Sequence, residues 1–208
     1  LALVGIVGVL ISSLVMSQMK FAAVATTKNC ADTCTYQVVE SLPDQINLEL
    51  LPDTNLTFNS WMDMIDNARD TLKIACFYSN LRNNATEPHN IGGWMGNSIF
   101  DAIVRAHKRG VQVTIVQNVP TKDFPDLDTL YLQEQNIARV VNVHWSKVFD
   151  GGVLHTKLLI ADDENFYVGS ANLDWTSLAQ VKELGIYVKH CSCLAEDIKK
   201  IWSTYEYL

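Results

Sequence analysis

Residues 155–172 read HTKLLIADDENFYVGSAN, and how this stretch folds decides what surrounds it. VLHTKLLIAD and FYVGSA are rich in aliphatic, β-branched and aromatic residues and have strand length. The intervening DDEN is turn chemistry. A hairpin-like turn there implies antiparallel pairing of the two strands. In a strand, residues two apart share a face, so His155 and Lys157 project together while Thr156 and Leu158 point away. Apolar residues would pack on that face at no electrostatic cost, so an imidazole beside an ammonium asks for a chemical reason. Asn172 falls just past the end of the second strand, where Gly169 permits close backbone approach and Ser170 adds a hydroxyl.

Working outward, the segments alternate. TYQVVES and INLEL are short extended pieces separated by the turn-prone LPDQ. TFNSWMDMIDNARDTL repeats apolar residues at helical spacing through Trp61, Met64, Ile65 and Ala68. LKIACFYS is a continuous apolar run with the length of a buried strand. A loop rich in Asn, Gly and Pro leads to a helix near GNSIFDAIVRAHKRG, stopped by Gly110. VQVTIVQ is the next strand, DLDTLYLQEQN a helix, ARVVNVHW extended, and after the hairpin come the strand KELGIYVKH and the closing helix CLAEDIKKIWSTYEYL. This alternation predicts an α/β fold with a mixed, largely parallel central sheet flanked by helices.

The chain has 208 residues, enough for one substantial domain, and a net charge of −7. Such a surface repels polyanions as a whole and offers no broad footprint for duplex DNA, so any phosphate chemistry must be local. The first residues, LALVGIVGVLISSLVM, predict a membrane segment over 1–25, either an uncleaved anchor or a signal peptide ending near Ala23–Ala25. Both send residues 26–208 across a membrane. The sequons at Asn55 and Asn84 agree with that, as does the cysteine pattern. Neighbours in the CSC motif bridge each other only with strain, which favours pairing the first cluster with the last. An antiparallel meeting gives Cys30 with Cys193 and Cys34 with Cys191. A zinc site is the competing reading, and Cys76 fits a buried free thiol.

Gathered at one sheet edge, an imidazole, an ammonium, an amide and a hydroxyl suit a phosphoryl group. The imidazole can attack phosphorus while Lys157 and Asn172 bind the oxygens whose charge grows in the transition state, and no metal or other cofactor is needed. HTKLLIAD followed by GSAN resembles the HxKxxxxD and GSxN signature of the phospholipase D superfamily. VLHTK, FYVGSANLDWTSLAQVKELGIYV and CSCLAEDIKKI are similar to the first half of the lysosomal, single-span phospholipase-D-like proteins, members three and four. Weaker similarity reaches back through CTYQVVESLP to the apolar start.

The resemblance implies one phospholipase-D-type half-domain and a luminal 5′ exonuclease acting on single-stranded DNA or RNA. That branch is also linked to synthesis of a lysosomal phospholipid. It implies that His155 is the nucleophile that becomes phosphohistidine and that Lys157 and Asn172 bind phosphate. Ser170 would support the phosphate, and Asp162 is the third signature residue, more structural than catalytic. Glu183 would be the carboxylate that hydrogen-bonds the nucleophilic ring. The family's site takes two such motifs facing each other, and this sequence has one, since His89, His107, His144 and His190 sit in no HxK context. The expected partner is therefore a second motif-bearing half, from missing sequence or from a homodimer. The expected location is a single-pass membrane protein of the endoplasmic reticulum to the lysosome lumen. The alternatives are a phospholipid hydrolase or transphosphatidylase using the same site, and an inactive membrane-anchored glycoprotein.

Overall fold

The computed structural model describes residues 32–44, 49–50, 52–82, 91–148 and 150–208. The expected anchor over 1–25, Cys30 and the Asn84 sequon lie outside them. Among the described residues no helix is long and apolar enough to cross a membrane.

The described residues form ten strands and six helices in the order β1 (Thr35–Ser41), β2 (Asn55–Leu56), α1 (Thr57–Asn67), β3 (Thr71–Cys76), β4 (Ser79–Asn80), α2 (Gly93–Lys108), β5 (Gln112–Asn118), α3 (Leu127–Glu134), β6 (Arg139–Val143), α4 (Trp145–Val148), β7 (Leu158–Ala161), β8 (Asn165–Gly169), β9 (Leu173–Asp174), α5 (Trp175–Ala179), β10 (Glu183–Lys189) and α6 (Ser192–Tyr207). Eight strands form one sheet in the order β2-β1-β10-β8-β7-β3-β5-β6, and β4 and β9 pair separately. The mixed α/β architecture is as expected, but the sheet is not largely parallel. Only β1 with β2, β3 with β5 and β5 with β6 run parallel; the other neighbours are antiparallel. The reason is connectivity: crossover helices build the wing from β3 to β6, whereas the tight β7–β8 turn and the return of β10 force antiparallel pairing.

Both faces of the sheet are covered. Along β7, Leu159 and Ala161 face a core shared with Trp61, Ile65, Ile99, Ile103 and Leu178 from α1, α2 and α5. Leu158 and Ile160 face the opposite way, against Ala195 and Trp202 of α6. This two-sided burial explains why the central strands read as unbroken apolar runs rather than alternating ones. The Trp202 indole N–H also donates to the Ile74 carbonyl (3.3 Å), fixing α6 across β3. Tyr167, fully buried, stands edge-on to Trp61 at 5.3 Å and lies over two glycines. A Cβ at Gly169 would come within 2.3 Å of its hydroxyl and 2.7 Å of the Leu184 carbonyl, which is the physical reason for glycine there.

The hairpin turn holds Asp162 and Asp163 at φ 55° and 52°, a left-handed pair matching the twist of the flanking strands. Non-glycine residues pay an energetic penalty in that region, and Asp162 offsets it. Its carboxylate accepts the backbone N–H groups of Arg69 (2.9 Å), Asp70 (2.8 Å) and Thr71 (2.9 Å), clamping the entry to β3 onto the turn. Lys73 and Lys199 both reach the neighbouring Asp163 carboxylate at 2.7 Å. The two lysines hold the Asp163 carboxyl below its usual range against the opposing effect of burial, which is the largest single influence on it.

Cys34 and Cys191 are joined in a disulfide across 157 residues of sequence, as expected, tying β1 to the start of α6. The sulfurs of Cys34, Cys191 and Cys193 lie within 4.8 Å of one another, but Cys193 is disulfide-bonded too, so the cluster offers a metal no thiolate. The Cys30 side of the second expected pair lies outside the described residues. Cys76 is a buried free thiol. Of INLEL, Glu49 and Leu50 are not in a strand; the edge strand β2 comes later, at Asn55–Leu56, and carries the first sequon.

Replacing Asp162 with alanine leaves three backbone donors without their carboxylate. The expected cost is about 2 kcal/mol in urea unfolding, given about 1–3 kcal/mol for an unsatisfied donor and the partial exposure of this site. An Asp162→Ala protein as stable as the wild type would contradict the clamp.

Candidate active site

Antiparallel pairing of β7 with β8 and of β8 with β10 brings the start of β7, the end of β8 and the start of β10 to one end of the sheet. Gly169 N–H donates to the Lys157 carbonyl (3.3 Å) and Ser170 N–H to the Leu184 carbonyl (2.9 Å). His155 and Lys157 therefore sit in an extended lead-in just before the paired part of β7, not within the strand itself. They still share a side: Lys157 Nζ is 3.0 Å from His155 Nδ1 and 2.7 Å from the His155 carbonyl. Thr156 turns away and hydrogen-bonds the Tyr205 hydroxyl of α6 at 2.9 Å.

Lys157 is only 5% exposed, whereas His155 is open to solvent. Burial lowers the lysine's pKa, and the Glu183 carboxylate opposes that shift. Phe77, immediately after the end of the neighbouring β3, packs its ring 5.3 Å from the imidazole and 5.9 Å from the ammonium. A buried ammonium under an aromatic face is costly without an anion to bind, and this one sits beside an exposed ring nitrogen.

Glu183 opens β10, but the sequence expectation for its partner needs correcting. Its carboxylate takes the Ser170 hydroxyl in a short hydrogen bond rather than the His155 ring, whose Nδ1 is held by Lys157. Ser170 also accepts the Leu184 N–H at 3.0 Å. Asn172 is brought to the same end by β9 and α5: its N–H donates to the Ser177 hydroxyl (3.2 Å), and its amide oxygen is buried without a hydrogen-bond partner. Asp162 is not brought to the site. It lies beyond the other end of β7, five residues from Lys157 or roughly 16 Å along an extended chain, where it has the clamping role described above.

Several neighbouring residues are brought to the site by strand pairing too short to carry a sequence pattern. The β4–β9 pair sets Asn80 beside Asp174 and so lays Tyr78 next to Asn172. The Tyr78 hydroxyl donates to Asp174 (3.2 Å), and burial with that carboxylate pushes its pKa up to about 12, against a weaker pull from the Asn172 amide. Tyr78 stacks on Phe124 with ring centres 4.5 Å apart, and Phe124 also touches Phe77 at 5.3 Å. The Tyr78 and Phe124 rings form one wall of a cleft of about 670 Å³, whose other lining includes Arg82, Asp126, Asp174 and Thr176. Of the other aromatic residues, Trp175 is buried and Trp94 stands edge-on to Phe58.

Asp126, buried and at φ 49°, accepts the Ser79 N–H at 2.6 Å with one oxygen while the other has no partner. Burial pushes its carboxyl from 3.8 up to about 6; the Ser79 bond opposes this and Asp128 adds to it.

The residues 49–208 match the family model described as PLD3/4, PLD-like domain. The chain is 42% identical over 181 residues to phospholipase D Y of Dictyostelium discoideum and 40% identical over 181 residues to the 5'-3' exonuclease PLD3 of Xenopus laevis. These alignments cover 86% and 85% of this chain but only 40% and 36% of the relatives. The chain thus spans about two-fifths or less of the length of these relatives. Among solved structures, Nuc from Salmonella typhimurium, a phospholipase D family member, superposes with a TM-score of 0.62 at 19% identity, covering 84% of this chain and 95% of its own. NucT from Helicobacter pylori gives 0.59 at 20% identity, covering 84% and 96%. The chain belongs to the phospholipase-D-like phosphodiesterase family, in the branch described by the PLD3/4 domain.

Asp126 gives a pH test of the site's electrostatics. The native carboxyl binds a proton that the unfolded one has released between about pH 4 and 6, so its contribution to stability is present below about 4 and is lost as pH rises through 6. The stability of Asp126→Asn relative to wild type should therefore grow by up to about 3 kcal/mol between pH 4 and pH 7.5 in urea titrations. A difference that does not change with pH would contradict the buried, half-paired carboxylate.

Proposed function

We propose that this chain carries one half of a phosphodiesterase site working through a covalent phosphohistidine at His155, and that the substrate is single-stranded nucleic acid cleaved from its 5′ end. The observation that carries the reading is the meeting of His155, a buried Lys157, Ser170, Asn172 and Glu183 at one sheet end. In the first step a ring nitrogen of His155 forms a bond to phosphorus and the bond to the leaving oxygen breaks, that oxygen taking a proton from an acid on the far side. Water then attacks phosphorus, the N–P bond breaks, and the same far-side group, now a base, takes the water's proton. Lys157 and the Asn172 amide stabilise the oxygens as charge builds on them.

The far-side acid does not come from the other described histidines. His144 follows β6, three strands from β7 or roughly 14 Å by strand spacing. His107 ends α2, and His190 pairs with Glu164 (3.1 Å) at the opposite sheet end. A second motif-bearing half supplies it, whether from further sequence or from another copy of the chain. An apolar strip on the sheet face beside α6 suits such a half: Val38, Ile186 and Val168 are register partners across β1, β10 and β8, each about 40% exposed, and Leu184 beside Glu183 is more exposed still.

Nucleic acid is favoured over lipid by the cleft whose Phe124 wall meets Phe77, the ring packed against His155. Its flat Tyr78 and Phe124 faces suit base stacking, and its carboxylates suit the amino edges of bases but not acyl chains. The relatives named phospholipase D keep a phospholipid substrate as the second reading. The Cys34–Cys191 disulfide supports an oxidising compartment, in keeping with a luminal location.

The test is cleavage of a 5′-hydroxyl single-stranded oligonucleotide at about pH 5, with the second half present, followed on denaturing gels. His155→Asn should lower turnover by at least about a thousandfold with an unchanged circular dichroism spectrum. Turnover surviving in that variant would remove His155 as the nucleophile; cleavage of phospholipid vesicles in place of the oligonucleotide would select the second reading.

A further inference from the structure

One nitrogen of the His155 ring is already committed. Lys157 Nζ lies 3.0 Å from Nδ1, while Nε2 has no hydrogen-bond partner among the described residues. An ammonium has three N–H donors and no lone pair, so Nδ1 must act as the acceptor. A neutral imidazole that accepts at Nδ1 carries its proton on Nε2. The unencumbered nitrogen, the one able to approach phosphorus, therefore has no free lone pair in this arrangement. Glu183, the carboxylate that could hold the opposite tautomer, is occupied by the Ser170 hydroxyl.

We infer that Lys157 and Ser170 are positioning residues that hold the ligand-free nucleophile in its unreactive tautomer, and that the substrate's phosphate arms it by drawing both donors away. The two non-bridging oxygens of a phosphodiester accept hydrogen bonds and carry one negative charge, matching an ammonium and a hydroxyl. Once Lys157 and Ser170 turn to those oxygens, Nδ1 and Glu183 lose their present partners together. The ring then carries its proton on Nδ1, donated to Glu183, and the Nε2 lone pair is uncovered. Nε2 releases one proton to water and Nδ1 takes one up, so the net proton count is unchanged and no bond other than N–H is altered.

The electrostatics run in the same direction. Lys157 is buried and hydrogen-bonds only His155, with no carboxylate paired to it, so an anion beside it gains more than it would at the surface. A neutral molecule entering the site offers neither donor an anionic partner and meets a protonated Nε2. The inference rests on the phosphodiesterase reading of the site, and deepens it by assigning the order of events: phosphate first, nucleophile second.

The test uses the full chain labelled with ¹⁵N-histidine, with the His155 ring signals identified by their loss in His155→Gln. The ¹⁵N shifts are read at a pH where the ring is neutral, without and with saturating tungstate as the tetrahedral oxyanion. The expected result is the Nε2–H tautomer in the free protein and Nδ1–H when tungstate is bound. Ser170→Ala, which frees Glu183, and Lys157→Met, which removes the donor to Nδ1, should each move the free protein toward Nδ1–H, a change that a purely structural role would not produce. If either variant fails to fold, the wild-type pair of spectra decides alone. A free protein already in the Nδ1–H form, or tungstate that shifts the His155 ring signals and leaves the ring tautomer unchanged, would overturn this inference alone. Tungstate that shifts no site signal at millimolar concentration would overturn the phosphodiesterase reading, and this inference with it.

Discussion

The register of the β7–β8 hairpin is the constraint on which the rest depends. Two consecutive aspartates in the left-handed region make the turn, and the Asp162 carboxylate holds it against the backbone entering β3. With that register Lys157 pairs with Gly169, so Ser170 and Asn172 emerge beside His155. A slip of one residue would move every side chain of β7 to the opposite face, exchanging the layer under α6 with the layer under α1 and α2. It would also carry Lys157 out of reach of the site. The third letter of the family signature thus acts on the nucleophile from the far end of the strand, through geometry.

Part of the cost of the arrangement falls at the site. An ammonium at 5% exposure, an amide oxygen and a carboxylate oxygen buried without partners, and a short serine–carboxylate bond are all features that stability alone would remove. They cluster around a single exposed imidazole, while the surrounding layers are closely packed and apolar. Buried polar atoms without partners also occur elsewhere among the described residues, as at Thr57, Ser60 and Trp61 of α1, but those at the site stand with a buried ammonium and an exposed imidazole, as a site built to receive an anion requires.

Much of this was legible in the sequence, and the limits of legibility have physical causes. Strand β1 falls on the extended piece TYQVVES, and α1 carries the apolar repeat through Trp61, Met64 and Ile65, a helical periodicity that burial enforces. The common side of His155 and Lys157 follows from spacing, and the Cys34–Cys191 pairing from spacing together with an antiparallel meeting of the two clusters. The sheet's antiparallel half was less visible, since strand direction depends on connections that periodicity does not encode. The two-residue strands β4 and β9 are too short to carry a pattern, so the approach of Tyr78 and Asp174 to Asn172 could not be read. Asp126 lies in a stretch that reads as a helix start, and its carboxylate serves Ser79, 47 residues away. The partner of Glu183 was misassigned for a related reason: sequence gives the carboxylate's strand, but a hydroxyl 13 residues upstream competes for it.

The account stands on a covalent bond forming between His155 and phosphorus. The direct measurement is to quench the reaction on an oligonucleotide labelled at the scissile phosphate with alkali, where a phosphohistidine persists, and to map the modified peptide by mass spectrometry. The account predicts a phosphoryl adduct on the peptide containing His155 whose label is released by acid. Label on any other side chain, or continued turnover with no adduct at any time point, would contradict it.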